Sequence, residues 1–341
     1  DYLKKNDFKV NYISLEKNIT DFKDYFDGLN NFLNKKNISK INIFEIEDLE
    51  FRKKFERFCK NGKIELIFHK SPMFLVSRSD YEDMVTTRKP QLANFYSNVR
   101  KNFQIFVKDN KPIGNKWSFD EDNRKRVPKG YLSPKSYLFE SKYFEDIKKL
   151  IDKFFSNHFG NLEKKIIFPM NFKDSAKVLD NFIKSKLENF GHYEDFVSTD
   201  DLFINHSLIS APLNMGLITP KQVLDRLSST SYTKVGINNY EGFIRQVFGW
   251  REFMRYLNIH YYEDFNKSNF FGNDRKLTKH WYEGTTNIPI LNDMILNLKK
   301  NGYVHHIPRL MIISNIMNLA GLRPSEVYKW FMETFIDSSD W

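Results

Sequence analysis

From Tyr240 to Leu257 the chain reads YEGFIRQVFGWREFMRYL, and one residue in it is charged where the pattern is apolar. Ile244, Val247, Phe248 and Met254 recur at helical spacing and define a buried stripe. Arg251 falls on that stripe, and a guanidinium keeps its charge, so burying it requires a carboxylate or a phosphate. An internal salt bridge to a local carboxylate is as good an account as a ligand on this pattern alone. A second invitation to an anion comes at His305-His306-Ile307-Pro308-Arg309, which opens another apolar helix. Neighbouring helical residues point in different directions, so the histidine pair is not expected to hold a metal between them, and no metal site is expected in the chain. One of the two can act as a general acid, because imidazole titrates near neutral pH, although such pairs are more often structural. The third constellation is Asn205 to Pro212, NHSLISAP, where Ser207 and Ser210 flank Leu208 beside a helix start. Two hydroxyls there can donate to a phosphate, or they can be ordinary helix caps.

Other chemistry loses weight by omission. The sequence has no GxxxxGK followed by Ser or Thr, no HExxH, no CxxC and no GxGxxG after a strand, and Cys59 is its only cysteine. Cys59 follows Phe55 in a helical pattern and is expected to be a small core residue. The chain has 53 basic against 43 acidic residues, a formal charge of +10, which favours a polyanionic partner. Its joint richness in Lys, Asn, Phe and Ile is also what AT-biased codon usage produces, so the charge argument is discounted. The longest apolar stretch, Leu310 to Leu322, is interrupted by Ser314, Asn315 and Asn318 and is too short for a bilayer. A reduced, monomeric, cytoplasmic protein without a membrane segment is expected. The chain starts at Asp1, its first methionine is Met73, and it stops at Trp341, which suggests a fragment of a longer protein.

The elements that would position these groups fall into two kinds. Val10–Leu15, Ile41–Ile46 and Ile64–His69 read as strands. Phe22, Tyr25, Phe26 and Leu29 form a helical face capped by Thr20, and a second helix covers about Leu49 to Cys59. Such strand–helix–strand units imply a parallel sheet. Gly114, Pro128, Gly130 and Pro134 then punctuate a basic connection containing Arg124-Lys125-Arg126. From Ser141 the signals are helical: Phe144, Ile147, Ile151 and Phe154 share a face, as do Val178, Leu179, Phe182 and Ile183. Thr219-Pro220-Lys221-Gln222 is a capping box, Gly321 ends a helix and Pro324 begins the next. The expected architecture is an α/β domain over residues 1–113, a linker over 114–170 and an all-α domain over 171–341.

Five strings occur in a specific order: GNKWSFDEDNRK (114–125), FINHSLISAPLNMGLITP (203–220), EGFIRQVFGWREFMR (241–255), GYVHHIPRLM (302–311) and EVYKWFMETFIDSSDW (326–341). Together they resemble the deoxyribodipyrimidine photolyase-related proteins, the iron–sulfur bacterial cryptochromes and photolyases that include bacterial (6-4) photolyases. The similarity runs from near Asp1 to Trp341 and implies a chain lacking the family's first strand–helix segment and C-terminal helices. The implied fold is an α/β antenna domain followed by a helical FAD domain. Ser207, Leu208 and Ser210 would cradle the flavin pyrophosphate, with Gln246, Arg251 and Arg309 as further flavin contacts. His305 and His306 would line the lesion pocket, His306 as proton donor and His305 as its orienting neighbour. Trp330 and Tyr282 would belong to the photoreduction chain, where Phe331 is a poor redox step.

The resemblance implies light-driven electron transfer from reduced FAD to a flipped-out lesion in UV-damaged DNA, with Arg124, Lys125 and Arg126 on phosphates. It also implies a possible ribolumazine-type antenna chromophore. The histidine pair favours the (6-4) photoproduct over a cyclobutane dimer. A cryptochrome-like blue-light photoreceptor without repair activity would use the same pocket. The sequence departs from the family at Ile290, which stands at the expected first cysteine of a [4Fe–4S] cluster. Isoleucine cannot ligate iron, so no normal cluster is expected.

Overall fold

In the computed structural model, which describes residues 2–85, 89–198 and 201–340, aspartates begin the main helices of the N-terminal unit. Asp24 accepts from the Asp27 amide at the head of helix Tyr25–Lys36, and Asp48 accepts from Phe51 at the head of helix Leu49–Asn61. Strands Lys40–Phe44 and Glu65–His69 pair in parallel on either side of the second helix, in register from Lys40↔Glu65 to Phe44↔His69. Phe26 stacks on Phe51 at 5.6 Å and leans on Phe55 and Phe58, so the two helices share an aromatic seam. Cys59 is buried beside them, as a small core residue should be. This unit comprises Asp1–Lys70 with Lys149–Phe155.

Two expectations fail here. Val10–Leu15 forms no strand: Ser14 accepts from Lys17 N and caps a helix, Leu15–Asp21, that consumes the end of the run. Thr20 lies inside that helix, and Asp24 takes the capping role assigned to it. A β-branched run without a partner strand has no ladder to join, and the nearer cap wins.

The second unit, Ser71–Lys148 with Ser156–Trp341, is mostly helical. Its centre is one long helical run: Ile237–Ile244, a π turn over Arg245–Trp250, then Arg251–Lys267. Two buried carboxylates on this run hold the upstream chain. Glu241 accepts from Tyr96 Oη at 3.0 Å and Phe119 N at 2.9 Å, while Arg245 pairs with Asp120 at 2.8 Å. Glu252 accepts from Leu75 N at 2.7 Å, and Arg255 donates to Val76 O at 2.6 Å. The string from Gly114 to Lys125 therefore docks on the central run. Gly114, at φ +83°, is needed there, because a Cβ would lie 2.3 Å from Ile237 Cδ1.

The capping box at Thr219 and Gln222 forms, Pro324 opens helix Pro324–Thr334, and Gly321 at φ +74° follows helix Asn315–Leu319. The stripe on the central run holds through Phe248 but not to Met254, which is 42 % exposed. The π turn adds a residue to the helical count, so the buried face after it passes to Glu252, Arg255 and Tyr256. The face of Phe144, Ile147, Ile151 and Phe154 does lie on one helix, Phe144–Phe154, but none of its residues is fully buried. Among the described residues no helix is long and apolar enough to cross a membrane.

Candidate functional site

A cavity of about 330 Å³ opens in the helical unit between the segment 206–214, the central run and residues 303–309. Ser207, Leu208, Ser210, Gln246, Arg251 and Arg309, the six cofactor residues expected from sequence, all line it, and so does His306. Leu208 sits at φ +58°, which turns the chain sharply between the two serines.

Arg309 and Ser210, and Arg251 through Asn214, are organised by an acid the sequence reading missed. Asp337, 8 % exposed, accepts from Arg309 Nη2 at 2.7 Å and from Ser210 Oγ at 2.6 Å. Its backbone carbonyl accepts from Asn214 Nδ2 at 2.7 Å, and Asn214 Oδ1 in turn accepts from Arg251 Nη1 at 2.7 Å. Arg251 is 8 % exposed, as its place on the stripe requires, and lies 4.5 Å from the Phe74 ring centroid. Arg309 is held over Phe335 at 4.2 Å. The chain thus supplies an internal carboxylate to Arg309 and Ser210. Two guanidinium groups and two hydroxyls on one cavity still form a donor set suited to a phosphate-bearing cofactor. Arg309 Nε is buried and meets no hydrogen-bond partner among the described residues.

His206 and His306 also line the cavity, and His305 packs against both. His305 lies in the extended stretch before helix Ile307–Ser314, so the helical-spacing argument does not separate it from its neighbours. It is 1 % exposed and stacks on His206 with centroids 4.3 Å apart and planes 23° apart. Burial first, then the charges of His306 and Arg309, push the His305 pKa down to about 3. Burial also drives His206 well below its ordinary value. His306 is half-exposed, and its Nε2 lies 3.3 Å from Asp195 Oδ1, a contact that lowers the pKa of that acid. Asp195 is thus bonded to His306, whose ring also meets that of His305 edge-on at 6.1 Å.

On the same lining, Gln246 Nε2 donates to Glu194 Oε1 at 2.6 Å. Burial raises the Glu194 carboxyl to about 7, against the pull of His306 and Arg245. Glu194, Asp195, His206, Asn214 and Asp337 are the site groups that sequence reasoning did not nominate. His206, Asn214 and Asp337 carried a signal, as polar residues within the strings 203–220 and 326–341.

The remaining nominated residues lie outside the cavity lining. Trp330 is 0 % exposed and donates Nε1 to the Trp281 carbonyl at 3.1 Å. Its ring meets Phe331 edge-on at 5.2 Å. Tyr282 donates to Glu333 Oε2 at 2.9 Å, and burial with that bond raises its pKa to about 12. Arg124, Lys125 and Arg126 are exposed, and Arg124 reaches both Asp120 at 3.3 Å and Asp195 at 3.7 Å. Ile290 is exposed in the first turn of helix Pro289–Asn301.

Comparison with known proteins covers most of the chain. Residues 1–166 match the family model for deoxyribodipyrimidine photo-lyase-related protein, and residues 243–340 match the FAD binding domain of DNA photolyase. The chain is 32 % identical over 307 residues to the (6-4) photolyase of Agrobacterium fabrum (strain C58 / ATCC 33970), covering 89 % of this chain and 60 % of that protein. It is 28 % identical over 169 residues to the deoxyribodipyrimidine photo-lyase of the same organism, covering 47 % of this chain and 34 % of that one. A crystal structure of a bacterial class III photolyase from Agrobacterium tumefaciens shares the fold, with a TM-score of 0.56 at 16 % identity, over 93 % of this chain and 62 % of that one. The chain therefore spans about three fifths of the length of the (6-4) photolyase it matches over most of its own length.

Proposed function

The chain belongs to the photolyase-related protein family, and from that premise we propose that it binds FAD in the cavity and repairs UV-damaged DNA with light, its lesion being the (6-4) photoproduct. The observation that carries this reading is the convergence of Ser207, Leu208, Ser210, Gln246, Arg251, Arg309 and His306 on one cavity. When bound, reduced FAD supplies the light-driven electron that opens a flipped-out lesion.

The chain's own residues have separate tasks. Ser207 donates to the cofactor's phosphates, as does Ser210 once it exchanges its Asp337 acceptor. Arg251 and Arg309 offer fixed positive charge, held flat by Phe74 and Phe335. His306, oriented by Asp195, donates a proton to the lesion, while His305 stays neutral and packs behind it. Tyr282 and Trp330 would pass electrons from an external reductant toward the cofactor, and Glu333 would take the proton that an oxidised Tyr282 sheds. Arg124, Lys125 and Arg126 neutralise DNA phosphates, which makes binding weaken as salt rises. A ribolumazine-type antenna in the N-terminal unit rests on family precedent alone. Ile290 excludes a four-cysteine cluster of the usual kind, and stoichiometric iron and sulfide in the full-length gene product would overturn that.

The test begins with an absorption spectrum before and after blue light with reductant, followed by repair turnover on oligonucleotides carrying one or the other lesion. Bound flavin that bleaches, with repair of the (6-4) oligonucleotide, is the expected result. His306→Ala is expected to lose repair by at least about 100-fold and keep its flavin. Photoreduction without repair of either lesion would fit a signalling photoreceptor instead.

A further inference from the structure

We propose that His206, His305 and His306 form a binding site for one borderline divalent cation, with Zn²⁺ as the reference ion. The pair His305-His306 gave no reason to expect a metal, because neighbouring residues on a helix point in different directions. The third imidazole arrives from the segment at 206, far away in sequence. One ring nitrogen from each of the three histidines falls within 4.8 Å of the other two.

Three features make the cluster a ligand set. First, His206 Nε2 and His305 Nδ1 are buried and meet no hydrogen-bond partner among the described residues. A buried imidazole nitrogen without a partner is costly, and a metal ion is one of few groups that answers two at once. Second, His206 makes a backbone hydrogen bond with Glu194. Nε2, the nitrogen without a partner among the described residues, is the one left to take an ion. Third, Asp195 lies 3.3 Å from His306 Nε2, so His306 can present Nδ1 with a carboxylate behind it. Consecutive residues, Glu194 and Asp195, thus orient two of the three ligands, as outer-shell partners of metal-bound histidines do.

Neutral imidazole suits Zn²⁺, with nitrogens at about 2.0–2.1 Å and a fourth, open position. That geometry sets ligand atoms about 3.3 Å apart, so the cluster must contract on binding. His306, the half-exposed member, can swing inward, and the stacked planes of His206 and His305, 23° apart, must open so that both lone pairs meet the ion. Occupancy would also withdraw His306 from any proton transfer, so Zn²⁺ should act as an inhibitor of repair. That consequence rests on the preceding reading, whereas metal binding does not.

The experiment is isothermal titration of the chelator-stripped full chain with ZnCl₂, joined to zinc-edge X-ray absorption of the loaded protein. One ion per chain and a shell of three imidazole nitrogens are expected. His306→Ala and Asp195→Asn should each weaken binding by about 10-fold or more. His206 and His305 are buried and their variants can misfold, so the absorption spectrum of the unaltered protein carries the test of those two ligands. Failure to bind zinc overturns the proposal. So does bound zinc without an imidazole shell, or an affinity unmoved by His306→Ala. Zinc bound by the three histidines but without effect on repair would keep the site and discard only the inhibition.

Discussion

Asp337 and His206 line the same cavity and differ in how their buried polar atoms are met. Asp337 is bonded through both carboxylate oxygens and its carbonyl, to Arg309, Ser210 and Asn214. His206 and His305 are as deeply buried, yet each keeps a ring nitrogen without a partner among the described residues. Asp337 is met before any ligand arrives and ties the segments at 210, 309 and 337 together, while Arg309 Nε beside it is without a partner among the described residues. The histidine wall is incomplete and costs stability that only a bound group can return. Within one cavity, then, the wall that fixes shape is distinguishable from the wall kept for chemistry.

The largest test of that contrast is removal of the hub. Asp337→Ala leaves Arg309 and Ser210 facing an empty site, and urea unfolding should show a loss of about 3 kcal/mol. Asp337→Asn, which keeps an acceptor, should lose roughly half as much. If both variants are as stable as the parent, the arginine wall is not the structural one.

Acid–base behaviour sharpens the comparison at a smaller scale. The His305 pKa falls from 6.5 to about 3 on folding, so the unfolded chain binds that proton first and stability is lost as pH falls below 6.5. Glu252, beneath the arginine wall, goes the other way: burial raises it from 4.5 to about 7. The folded chain holds that proton longer, so its contribution is present below pH 4.5 and is lost as pH rises toward 7. Between pH 5 and 7 each effect is worth about 2 kcal/mol, with opposite sign. Relative to the parent and with EDTA present, His305→Phe should remove the rising slope and Glu252→Gln the falling one. Parallel pH profiles for the parent and both variants would erase the distinction.

Local patterns in the sequence disclosed part of this. Arg251 announced its burial because an apolar helix surrounds it, whereas the two serines and Arg309 were nominated by the family resemblance, their local pattern fitting ordinary caps equally well. The fold class followed from the change of period after Ser141. What stayed hidden depends on distance or on a change of count. Asp337 lies 127 residues from Ser210, and the string that contains it, 326–341, does not show which groups it pairs with. His206 meets His305 across a similar span. Met254 was misplaced because a π turn is invisible to a 3.6-residue count, and Val10–Leu15 because strand propensity cannot supply a partner strand.

One earlier feature also gives the molecule an optical reporter of its own. Arg309 rests on Phe335, Phe335 stacks on Phe331 at 5.2 Å, and both rings meet the fully buried Trp330. A cation that shifts when the cavity fills would press on this aromatic column and alter the surroundings of an indole that water never reaches. Emission from Trp330 should therefore register an occupant of the cavity at a distance, without any added dye.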